Sequence, residues 1–228
     1  MCHLKARLTE LNENEILKYL NYRGQEYGTD VRAQISRCIG EVMNASAPRL
    51  VWKRLAVRDG KCDSRALQGN TIKKLLEASE EIVLMGVTLG AAVERLLMKQ
   101  EIVNMADAVI MDSCASTAVE NVCNNFEADL RQAVEKEGLF LSDRFSPGYG
   151  DFPLDAQRDL CAELDTARRI GVSLSPSLML VPRKSVTAVL GISKNPFQLR
   201  GKGCEVCSMF RTCSYRKSGT LCREDGRE

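Results

Sequence analysis

Two periods divide this 228-residue chain: apolar positions recurring every three to four residues, and short stretches that alternate or run continuously apolar. The first predicts helices, the second strands. Asn12-Glu-Asn-Glu15 reads as a capping box, with Asn12 accepting from a first-turn amide and Glu15 reaching back, and with Leu11 and Ile16 at the flanking staple positions. The helix it opens is expected to end near Gly24. A second helix is predicted from about Thr29-Asp30 to Ala47, presenting Val31, Ile35, Cys38, Ile39 and Val42 on one face before Pro48 stops it. Leu50 to Val57 alternates as a strand does, and Asp59-Gly60 reads as the turn into a short partner.

Further along, Asn70 is placed to cap a helix through Ala78, Ile82 to Val87 reads as a buried strand, and helix resumes after Gly90. The strongest helical period runs from about Met105 to Glu137, where Val119, Val122, Phe126, Leu130 and Val134 repeat along one face until Gly138. A helix from Pro153 to about Arg169 follows a loop. Leu178 to Val181 and Val186 to Ile192 are then predicted as adjacent strands joined by a turn at Pro182-Arg-Lys. Strands interspersed with helices and joined by hairpin-like turns predict an α+β fold with a mixed or antiparallel sheet packed with helices.

Composition is that of an ordinary globular protein, 44% hydrophobic and 27% charged, and it adds one boundary. Asn195-Pro196 and Gly201-Lys-Gly203 mark a shift, so residues 1–193 are expected to form one domain and 194–228 a Cys-rich tail. The tail carries eight Lys/Arg against four Asp/Glu, a local +4; the whole chain is at +2, which leaves −2 for the rest. That balance gives no electrostatic case for nucleic acid. The apolar run from Ile82 to Val87 is too short to cross a bilayer, and no secretory pattern opens the chain, so a cytoplasmic protein is expected.

In that compartment thiols stay reduced. Cys2, Cys38, Cys62, Cys114, Cys123 and Cys161 are scattered, mostly within helical patterns, as packing residues are. Cys204, Cys207, Cys213 and Cys222 instead gather four thiols into nineteen residues. That density points to a metal site, either an iron–sulfur cluster or tetrahedral zinc, with redox-active or unliganded thiols as the alternative. His3 is the only histidine, which removes support for histidine-centred acid–base or nucleophilic schemes. Gly86 and Gly90 stand in a G-x-x-x-G spacing, and no G-x-G-x-x-G accompanies them, so a doubly wound dinucleotide fold is a poor fit.

The richest local chemistry is Arg144-Phe-Ser-Pro-Gly-Tyr-Gly-Asp-Phe-Pro153, which sets a guanidinium, a Pro-Gly corner and a tyrosine within six residues. Proline fixes φ and glycine permits its positive values, so Pro147-Gly148 reads as a tight turn. Upstream, Asp112, Ser116 and Glu120 follow one another at four-residue steps and put a polar stripe on the long helix. The Arg144 segment resembles the R-x-x-x-G-Y segment of the activation domain of cobalamin-dependent methionine synthase. Asn21 to Gln25, Leu84 to Gly90, Met111 to Glu120, Ile170 to Pro182 and Ser185 to Gly191 resemble stand-alone members of that family, over roughly residues 12 to 193.

The resemblance implies that S-adenosylmethionine is bound. Arg144 would hold its carboxylate, the backbone from Ser146 to Gly148 would meet its polar groups, Tyr149 would lie against the ligand or the corrin edge, and Glu120 would accept from the ligand. It implies an accessory subunit for reductive methylation of cob(II)alamin, served by a flavodoxin- or ferredoxin-type electron donor. The cobalamin-binding D-x-H-x-x-G segment is absent, so the corrinoid would be carried by a partner methionine synthase or another corrinoid protein. No nucleophile or general base is needed, because the chemistry belongs to the corrinoid and the sulfonium. Two departures stand out: a family tyrosine falls on Val186, and a family aspartate near the domain start has no counterpart. A metal-binding electron-transfer or interaction protein with a vestigial ligand site is the alternative, and a sensor of S-adenosylmethionine is a third reading.

Overall fold

The computed structural model describes residues 4–20, 22 and 28–197. Its centre is a four-stranded antiparallel sheet in the order β1-β2-β6-β3, formed by Arg49–Ala56, Glu81–Thr88, Ser185–Ser193 and Phe140–Leu141. The two inner strands are buried along nearly their whole length because helices cover both faces of the sheet. Strand alternation sorts their side chains. Val83, Met85 and Val87 of β2, with Ala188, Leu190 and Ile192 of β6, face one core, whereas Ile82, Leu84 and Val189 face the other.

The first core is covered by α1 (Glu13–Tyr19), α2 (Thr29–Ala45), α4 (Ala91–Val103) and α5 (Met105–Glu135). The second is covered by α3 (Asn70–Glu77), α6 (Ala156–Leu164) and α7 (Thr166–Ile170). The architecture is therefore the α+β arrangement that the periodicity predicts, built as three layers. Among the described residues no helix is long and apolar enough to cross a membrane.

Helix α5 is the spine of the first layer. Asn104 caps it by accepting from the amides of Ala106 and Asp107 at 3.1 and 3.4 Å. Asp107 in its first turn is buried and receives two hydrogen bonds of 2.8 Å from Arg37 and one of 2.7 Å from Gln34, which fastens α2 to α5. One apolar face carries Val119, Val122, Phe126, Leu130 and Val134, all buried, and Phe126 meets Trp52 of β1 at a ring separation of 6.1 Å. Gly138 ends the turn after the helix at φ +74°.

Several local expectations are corrected. Asn12 caps α1 by accepting from Asn14 N–H at 2.9 Å, but the helix stops at Tyr19, short of Gly24. Asn70 is the first residue of α3 rather than its cap; the Asp151 carboxylate takes the Thr71 amide from across the chain, at 3.1 and 3.2 Å. Asp59 and Gly60 do form a turn with positive φ at both residues, yet what it closes is a single Arg58–Lys61 bridge and not a partner strand.

The helix expected from Pro153 to Arg169 starts at Ala156 and breaks at Asp165, which is left-handed with φ 51°. Finally, Leu180–Val181 (β5) pairs with Ser173–Leu174 (β4) in a separate two-stranded sheet. It does not pair with β6, whose partners in the central sheet are β2 and β3.

Candidate functional site

The segment from Phe140 to Phe145 runs antiparallel to β6, but not in continuous register. Leu141 lies opposite Ile192, and Phe145 pairs with Val189 through backbone bonds of 2.9 and 2.8 Å. Four steps on one side therefore span three on the other, which is a β-bulge of one residue. Its consequence is a reversal of facing. Leu141 packs with Ile192 in the first core, and an unbroken strand would send Phe145 to the same side. Phe145 instead packs with Val189 in the second core, so Arg144 beside it is turned toward α5.

On α5 Arg144 meets Glu120, Asn124 and Glu127. One guanidinium nitrogen donates to Glu120; the other donates to Glu127 and, at 2.9 Å, to Asn124. These three positions stand at i, i+4 and i+7, which is one helix face. Arg144 and Glu127 are largely buried, with side-chain exposures of 20% and 16%, whereas Glu120 is 39% exposed and opens the cluster to solvent. Burial pushes the Glu127 carboxyl above its usual range against the pull of Arg144. Burial also works against the charge on Arg144, but Glu127 and Glu120 outweigh it and raise its pKa.

The loop beyond Arg144 is a type II turn. Tyr149 N–H donates to the Ser146 carbonyl at 3.3 Å, with Pro147 and Gly148 between them and Gly148 at φ +87°. The Gly148 amide is bonded to the Phe152 carbonyl at 2.9 Å, so this turn uses the Gly148 and Tyr149 amides internally. The ends of the loop are fixed. Phe145 is held by Val189, Phe152 is buried in the second core, and Asp151 caps α3. Between those anchors Tyr149 is 74% exposed, while Ser146 is half-buried and Gly148 exposed.

The polar stripe on α5 is thus not merely its wet side. Lys184, in the turn entering β6, bridges Asp112 and Ser116 at 2.8 and 2.9 Å. Arg144 takes the next turns of the same stripe. The neighbouring Arg183 docks on α4 through Glu94, its amide at 2.7 Å and its Nε at 2.6 Å. Val186 sits half-buried at the start of β6, opposite Val87.

Of the residues singled out in the sequence, Arg144 and Glu120 are brought into contact, and Ser146, Gly148 and Tyr149 follow on the adjoining loop. Three further residues belong to the cluster or its flank: Asn124, Glu127 and Lys184. For Asn124 and Glu127 a signal existed, since both continue the face of Glu120 at helical spacing; Lys184 carried none.

Cys204, Cys207, Cys213 and Cys222 lie outside the described residues, as does Cys2. Among the described residues no group of three or more His, Cys, Asp or Glu is placed to hold a metal ion. Cys38, Cys62, Cys114, Cys123 and Cys161 are unpaired, and burial pushes Cys114 and Cys123 up to about 12, as befits inert packing thiols.

No protein-family model matches the chain. No curated protein sequence matches it either. Among solved structures it is similar to the crystal structure of the MetH reactivation domain bound to AdoHcy, with a TM-score of 0.60 and 13% sequence identity over 93% of this chain and 82% of that one. At that identity the likeness establishes a shared fold.

Proposed function

We propose that this chain is an accessory subunit that binds S-adenosylmethionine for the reductive methylation of cob(II)alamin carried by a partner methionine synthase. The observation that carries the reading is the meeting of Arg144 with Glu120 and Glu127, on a fold shared with a domain crystallised with AdoHcy. The donor set suits the amino-acid end of such a ligand. A forked guanidinium matches a carboxylate, and two carboxylates match an ammonium and a sulfonium. S-adenosylmethionine, when bound, supplies an electrophilic methyl group.

What this chain supplies is position. The bulge aims Arg144, α5 holds the acids, and the anchored loop keeps Tyr149 exposed where a corrin-bearing partner would arrive. A low-potential flavodoxin- or ferredoxin-type donor completes the system. The Cys204–Cys222 quartet is proposed as an iron–sulfur or zinc site of the tail, and the absorption spectrum and metal content of anaerobically purified protein distinguish the two.

Titration calorimetry with S-adenosylmethionine tests the reading. Micromolar binding that Arg144→Ala abolishes supports it, and equal affinity in the variant removes Arg144 from the site. Transfer of labelled methyl to an oxidised corrinoid methionine synthase, with reductant present, tests the activity itself. A second reading, a metal-binding electron-transfer or interaction protein with a vestigial ligand site, draws on two observations. The guanidinium of Arg144 is already satisfied by carboxylates of its own chain, and Val186 stands where the resembled family has a tyrosine. Absence of any ligand heat favours it.

A further inference from the structure

Arg144 is one cation facing two carboxylates, Glu120 and Glu127. Arg131, which donates to the Leu141 carbonyl at 2.7 Å, and Asp143 also act on Glu127. Two guanidiniums (Arg131, Arg144) against three carboxylates (Glu120, Glu127, Asp143) leave one negative charge in excess. The excess is poorly screened, because Glu127 and Arg144 are largely buried. A ligand held by its carboxylate on Arg144 brings the rest of its charge beside these acids.

On the reading proposed above, we infer that Glu127 is a specificity-determining residue, which makes the site select ligands of net positive charge. S-adenosylmethionine carries a carboxylate, an ammonium and a sulfonium, for a net +1. Loss of its methyl group leaves a thioether and a net charge of zero. The site is thus matched to the methyl donor and mismatched to its demethylated product, which would promote release of the spent ligand. Glu120, being more exposed, contributes less to the discrimination because water screens it.

The test compares the affinities of S-adenosylmethionine and S-adenosylhomocysteine for the full chain and for Glu127→Gln, which keeps the shape and hydrogen-bonding reach of the side chain. The wild type is expected to favour the sulfonium ligand, and Glu127→Gln to cut that preference by about tenfold, mainly by weakening the sulfonium ligand. A preference unchanged in a variant that still binds, or an equal loss for both ligands, overturns this inference and leaves the proposed function standing. No binding of either ligand by the wild type overturns both. Should Glu127→Gln not fold, the salt dependence of the wild-type preference decides. It is expected to fall between low and high ionic strength, and a flat profile overturns the inference.

Discussion

The Ser142 hydroxyl accepts the Gly191 amide at 2.8 Å, where an unbroken antiparallel ladder would offer a backbone carbonyl. The Ser142 amide returns a bond to the Gly191 carbonyl at 2.9 Å, and the same hydroxyl donates to the Asp143 carbonyl at 2.7 Å. A side chain therefore completes the ladder at the point where the backbone leaves it, and the residue freed from register turns Arg144 onto α5. Ser142 is buried, so water does not replace the bond.

Ser142→Ala should on that account leave the Gly191 amide unpaired, at a cost of about 1–3 kcal/mol in urea unfolding. It should also loosen the aim of Arg144 and, on the function proposed above, weaken S-adenosylmethionine binding severalfold. A variant as stable as the wild type would mean that the bulge holds itself without the hydroxyl.

The far end of the same loop rests on glycine. Gly69 precedes α3 at φ +95°, and a β-carbon there would stand 2.5 Å from the Asp151 carbonyl oxygen. Gly69→Ala should combine backbone strain with a clash that only movement of the loop relieves, and cost about 2 kcal/mol or more. Proteolysis within 144–153 should accelerate in step. Gly148→Ala makes a useful contrast, because its β-carbon would meet only Leu154 at an ordinary 3.5 Å and the positive φ alone would oppose it.

How much of this was legible in the sequence follows from what each feature depends on. Helix α5 and the inner strands β2 and β6 were readable because long periodic or continuously apolar runs answer to burial, which hydropathy reports directly. The two-residue strands β4 and β5 bury little: the sequence shows no strand at Ser173–Leu174 and points Leu178 to Val181 at the wrong partner, since nothing in so short a run selects one. The break at Asp165 was hidden because aspartate in a left-handed conformation leaves no pattern in neighbouring residues. At the site, Glu120 and Arg144 were found by motif and stripe. That they meet depends on a one-residue bulge, which alternation cannot forecast; Glu127 stands two turns along the same face, but its spacing alone does not distinguish it from a solvated acid.

Asp107 gives a pH dependence with a definite sign. Hydrogen bonds from Gln34 and then Arg37 hold its carboxyl below the usual 3.8. A depressed folded-state pKa contributes stability that is fully present above 3.8 and is lost as pH falls through the lower folded value. Asp107→Asn should melt several degrees below the wild type at neutral pH, and the two curves should converge on acidification toward pH 3. Parallel curves across that range would show that the carboxylate charge plays no part in joining α2 to α5.

Removing Arg144 should also open a gap that closes on acidification, but through a carboxyl pKa that is raised in the fold, not depressed. Arg144→Met keeps apolar bulk but strips Glu127 of its cation, leaving a largely buried carboxylate with burial as the dominant influence on it. At neutral pH the unpaired charge should cost on the order of 3 kcal/mol. With Arg144 gone the folded-state pKa of Glu127 rises further above its ordinary 4.5. A raised carboxyl pKa means that the folded form binds the proton more tightly. The deficit is therefore full above the folded value and shrinks as pH falls through it toward 4.5. Denaturation curves of wild type and Arg144→Met at pH 8, 6.5 and 5 should show a gap that narrows stepwise. Double substitution with Glu127→Gln should close most of the gap at pH 8, because the carboxylate left stranded by the first change is then neutral. A gap independent of pH, and untouched by the second substitution, would mean that Arg144 stabilises the bulge through packing and that the ion pair adds nothing to the fold.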